Sequence, residues 1–76
     1  MNDIRKIAVG PDYKGGAMHY VVGQEVLKGK YKIHHIRYDE GQDSFKIWIE
    51  STLNQEIMLW KKFVNMPVSV EYNINF

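Results

Sequence analysis

The chain has 76 residues, 45% hydrophobic and 13% aromatic, with a formal net charge of +1 and no cysteine. That length makes one small domain, residues 1–76, near the lower limit at which a single core folds without staples. Disulfides and thiolate metal sites are excluded, the near-neutral charge names no partner by itself, and no apolar run approaches membrane-spanning length.

At the N-terminus, Met1-Asn2-Asp3-Ile4-Arg5-Lys6 has charges with no apolar run behind them, which is not a signal-peptide pattern. A cysteine-free chain without such a leader is expected in the cytoplasm. Residues 4–9 read as a first strand, with Ile7 and Val9 on one face. A loop follows from Gly10-Pro11 to Gly16-Ala17. Its glycines and Lys14 invite comparison with a phosphate cradle, but no helix opens behind them, so a plain connecting loop is expected.

Met18 to Val26 reads as a second strand, in which Met18, Tyr20 and Val22 alternate with His19 and Val21. Gly23 inside it predicts a bulge or a barrel-like corner. Lys28-Gly29 predicts a tight turn into a third strand from Lys30 to Tyr38. There the apolar side changes midway: Tyr31 and Ile33 are odd, Ile36 and Tyr38 even. One extra residue near His34-His35 reconciles them, so a β-bulge is expected there; the alternative is a strand with both faces partly covered. After the polar turn Asp39-Glu40-Gly41-Gln42-Asp43, Ser44 to Glu50 forms a fourth strand. Phe45, Ile47 and Ile49 take one face of it, and Lys46, Trp48 and Glu50 the other.

The period then changes. Leu53, Ile57, Trp60 and Val64, widened by Phe63, follow the spacing of an amphipathic helix. Thr52 with Gln55 resembles a capping box, Glu56 precedes Lys61 and Lys62 in the sense that suits the helix dipole, and Asn65 and Pro67 mark an end. The last stretch returns to strict alternation, with Val68, Val70, Tyr72, Ile74 and Phe76 on one side. The expected order is β-β-β-β-α-β: an α+β domain with a curved, mostly antiparallel sheet of about five strands and one helix. The alternative is a small SH3-like or OB-like barrel with the helix as a plug.

Lys28, Lys30, Lys32 and Arg37 accompany two histidines and two tyrosines between Lys28 and Tyr38, with no acid. On a continuous strand, Lys28, Lys30, Lys32 and His34 share a face. Such a row can track phosphates while Tyr38 or Trp48 stacks on unpaired bases. The competing reading is an edge strand guarded by lysines. His19, His34 and His35 match no metal-ligand spacing, because neighbours on a strand diverge unless the bulge turns them together. Asp39, Glu40 and Asp43 lack calcium-loop spacing. Ser44, Ser51, Ser69 and Thr52 sit in no nucleophile motif, so no enzyme, cofactor or metal is expected.

Trp48 opposes the core face of its strand, and Met58 and Leu59 leave the helical stripe, so these three are candidates for a protein contact and for self-association. The sequence thus points to a small non-enzymatic binding protein that holds single-stranded nucleic acid or another phosphorylated ligand through Lys28, Lys30, Lys32, His34, Arg37, Tyr38 and Trp48. The alternative is a protein-interaction or inhibitor module acting through Trp48, Met58 and Leu59, expected as a homodimer. The short, motif-poor character resembles that of accessory proteins in phages and other mobile elements.

Overall fold

The computed structural model describes residues 3–10 and 16–73. Among these residues seven strands run in chain order: β1 (Ile4–Val9), β2 (Met18–Val21), β3 (Glu25–Val26), β4 (Tyr31–Asp39), β5 (Ser44–Ser51), β6 (Ile57–Val64) and β7 (Val68–Tyr72). They form two antiparallel sheets, one of order β2-β1-β7 and a curled one of order β3-β4-β5-β6. Residues 11–15 of the expected first loop, and Ile74 and Phe76 of the expected last strand, lie outside the described residues.

The core lies between the sheets. Ile7, Val9 and Tyr20 come from the first, and Ile33, Ile36, Ile47 and Ile49 from the second. Ile7, Ile33, Ile47 and Ile49 are almost wholly inaccessible, and burying each such side chain contributes roughly 1.5–3 kcal/mol. Tyr20 reaches across to the other sheet, with its ring centroid 5.9 Å from that of Trp60 and 5.6 Å from that of Phe63. In β7, Val68 and Val70 pack against the core as their alternation predicts, whereas Tyr72 is half exposed.

Two irregularities shape the β3–β4 side of the second sheet. The expected second strand is split at Gly23, whose φ of 93° lies in the region natural to glycine. The chain leaves the first sheet there and joins the second, where Gly23 N–H donates to the Ile33 carbonyl at 2.8 Å. The expected corner is therefore a change of sheet. Along β4, Ile33 opposes Ile49 and His35 opposes Trp48, so His34 is the extra residue of a bulge. The bulge lets Ile33 and Ile36 both reach the core.

No helix occurs among the described residues, and the domain is all-β. The α+β expectation, and with it the helix over Leu53 to Val64, is overturned. A second bulge explains why the pattern misled. Ile47 opposes Lys61 while Trp48 opposes Leu59, so Trp60 is inserted in β6. The insertion breaks strict alternation and puts Met58, Trp60, Lys61 and Phe63 on the core side, so the expected stripe mixed core-side Trp60 and Phe63 with outward Ile57 and Val64. The apparent cap belongs to the β5–β6 loop. Ser51 Oγ accepts from the Leu53 and Asn54 amides, and Thr52 Oγ1 donates to the Gly29 and Lys30 carbonyls. Leu53, the expected first residue of the buried stripe, is 93% exposed.

Candidate functional site

Register assigns the outer face of the curled sheet row by row, because directly opposed residues of an antiparallel pair share a face. One row is Arg37, Lys46 and Lys62, contributed by β4, β5 and β6. The next row is His35, Trp48 and Leu59, and the third is Lys32, Glu50 and Ile57. A three-cation row therefore lies directly beside an aromatic row. Among the described residues, Arg37 and Lys62 take part in no ion pair, whereas Lys46 Nζ lies 3.4 Å from Asp39 Oδ2.

The aromatic row is built by the β4 bulge. His35 stacks on Trp48, with centroids 5.6 Å apart and planes 16° from parallel. The bulge also turns His34 toward His35, leaving their Nδ1 atoms 2.7 Å apart. His34 Nε2 lies 3.8 Å from a Glu50 oxygen. Among the described residues no group of three or more His, Cys, Asp or Glu side chains is placed to hold a metal. The indole Nε1 of Trp48 is buried with no acceptor among those residues, a state that costs about 1–3 kcal/mol.

Burial foremost, then Arg37 and His34, hold the His35 pKa below the ordinary imidazole value. The unfolded chain therefore takes up a proton at a higher pH than the folded one. The neutral ring's contribution is complete above pH ~6.5, the unfolded value, and is lost as pH falls through the lower folded value. Urea unfolding at pH 7.5 and pH 5.5 (conditions of roughly that spacing) is expected to show lower stability in acid. His35→Gln is expected to reduce that difference, and an undiminished difference would place the acid sensitivity elsewhere.

The residues expected from sequence are dispersed. Lys28 lies in a turn with φ 61°, and Lys30 precedes β4. Thus the four-residue basic row does not form along one strand. Lys32 is on the strand but opposes both Glu25 and Glu50, which weakens its field. Tyr38 opposes Phe45 on the side away from Trp48, and its hydroxyl donates to Asp43 at 2.8 Å. His34, Arg37 and Tyr38 meet instead along an open cleft of about 640 Å³ between the free part of β4 and the ends of β1 and β7. Lys46 and Lys62 escaped sequence reasoning because they are distant in the chain. Their signal was the outward position of Lys46 on β5, but Lys62 needed the β6 register. Met58 and Leu59 are 49% and 41% exposed on an edge strand, where a helix flank was expected.

No helix among the described residues is long and apolar enough to cross a membrane. No protein-family model, curated protein or solved structure matches the chain.

Proposed function

We propose that the outer face of the curled sheet binds single-stranded nucleic acid. The observation that carries this reading is the Arg37–Lys46–Lys62 row beside the His35–Trp48 stack on one face. Cations about one strand apart sit near the ~4.8 Å inter-strand spacing, so a sugar-phosphate chain crossing the strands meets them in turn. The adjoining aromatic row offers apolar surface to unpaired bases, which a duplex keeps stacked inside. At the β4 end the row opens into the cleft bordered by His34, Arg37 and Tyr38, so a bound strand has a continuation there.

Three phosphate contacts on a single strand imply a salt slope of about −2 in log K against log salt. Fluorescence anisotropy of short labelled DNA and RNA strands, with matched duplexes, tests this. Single strands are expected to bind more tightly than duplexes, and to weaken roughly 20-fold between about 50 and 200 mM salt. No binding at the lower salt would remove the proposal.

A further inference from the structure

Strand β6 lies at the edge of the curled sheet, and among the described residues only β5 pairs with it. Its second edge runs the length of an eight-residue strand and carries half-exposed Ile57, Met58, Leu59 and Val64. Lysines and a bulge are common guards of such an edge. Here, however, the bulge gives the strand an unusual symmetry.

Ile57, Leu59, Lys62 and Val64 oppose Glu50, Trp48, Lys46 and Ser44, all on the outer side. Met58, Lys61 and Phe63 oppose Ile49, Ile47 and Phe45 on the core side, and the inserted Trp60 packs against the core as well. In sequence order the facing is out, in, out, in, then in, out, in, out. The pattern reads the same in both directions about the Trp60–Lys61 bond. An antiparallel copy centred there matches every residue to one on the same face. Ile57 then opposes Val64 of the other copy, Met58 opposes Phe63, Leu59 opposes Lys62, and Trp60 opposes Lys61. No lysine directly opposes a lysine, and Lys61 meets an indole, as it already does within its own chain, where Nζ lies 4.8 Å from the Trp60 ring centroid. Without the bulge, this full-length register would set outward residues against inward ones.

We infer that β6 pairs with β6 of a second copy in this register, joining two curled sheets into one of eight strands. The partner is a second copy because the strand matches itself in facing and apolar content, in a register that sets no lysine directly against a lysine. The pairing stands without the nucleic-acid reading and deepens it. On the outer side, Arg37, Lys46 and Lys62 of one copy run directly into the row of Leu59, Trp48 and His35 of the other. Each half-site is then completed by the second copy.

Sedimentation from low micromolar to several hundred micromolar protein is expected to show a monomer–dimer equilibrium. Leu59→Lys, which sets lysine against Lys62 at two symmetric places, is expected to weaken it at least tenfold while the far-ultraviolet circular dichroism stays unchanged. A monomer throughout that range overturns the pairing. For the register, the cysteine-free chain permits a direct probe. Leu59→Cys with Lys62→Cys is expected to give a reducible covalent dimer on mild oxidation, and Ile57→Cys with Leu59→Cys is expected to stay uncrosslinked. Equal crosslinking of the two variants overturns the register. An unsubstituted chain that sediments as a dimer yet binds no oligonucleotide upholds this inference while removing the proposed function.

Discussion

Ile47→Ala is expected to remove a large part of the folding free energy, and Leu53→Ala to remove almost none. Ile47 is fully buried at the centre of β5, in the cluster shared by both sheets. Truncating a buried isoleucine costs about 2–5 kcal/mol, the lost transfer energy plus the cavity left behind. A domain of this size has a total on the order of 5–10 kcal/mol. The urea midpoint of Ile47→Ala, followed by tryptophan fluorescence, is therefore expected to fall by about a third or more. Leu53 lies at the other extreme, 93% exposed in the β5–β6 loop, where substitutions usually stay within ~0.5 kcal/mol. The pair separates two architectures. A helix with Leu53 at the head of its buried stripe requires Leu53→Ala to be costly, and a loss above ~2 kcal/mol there would contradict the all-β arrangement.

The double substitution Arg37→Glu with Lys62→Glu is expected to abolish measurable oligonucleotide binding while leaving the fold intact. Both side chains are exposed, and among the described residues neither takes part in an ion pair, so their reversal leaves no buried charge unpaired. Reversal removes two of the three cations in the row and puts repulsive charge in their place. The companion reversal Lys28→Glu with Lys30→Glu is expected to be nearly silent, because those lysines sit at a turn away from the Arg37–Lys46–Lys62 row. Anisotropy titrations of the two variants at one low salt concentration distinguish the row across strands from the row along one strand. If the turn variant loses binding and the face variant keeps it, the site lies on the β3–β4 hairpin.

Much of the fold was legible because most strands alternate. In β5, Phe45, Ile47 and Ile49 face inward as their spacing requires, and Trp48 faces outward. The β4 bulge was legible too, since Ile33 and Ile36 cannot share a face without an extra residue. The same device in β6 was misread. An inserted Trp60 between Leu59 and Lys61 shifts the phase once, and one phase shift within eight residues resembles a helical repeat. Thr52 and Gln55 added to the error, since that spacing also marks a helix start, whereas it is Ser51 Oγ that accepts from the amides two and three residues on, within a turn. The β-branched and aromatic content of Ile57, Trp60, Phe63 and Val64 favoured a strand.

The site was less legible than the fold, for a different physical reason. A sequence shows which charges are neighbours along the chain, and Lys28, Lys30 and Lys32 stood out on that basis. Binding surfaces are assembled across strands, so the cations that come together are Arg37, Lys46 and Lys62, set by register and not by spacing. The bulges decide that register, and they also aim His35 at Trp48. By itself the sequence determined which β5 residues face inward and that Trp48 faces away from the core, and it pointed to a bulge in β4, because period-two alternation is a local property of the chain. Only the tertiary structure decided that Ile57–Val64 is a strand and that the cations line up beside Trp48. Both depend on which strands pair and where an extra residue is absorbed, and pairing is settled by burial shared between distant segments.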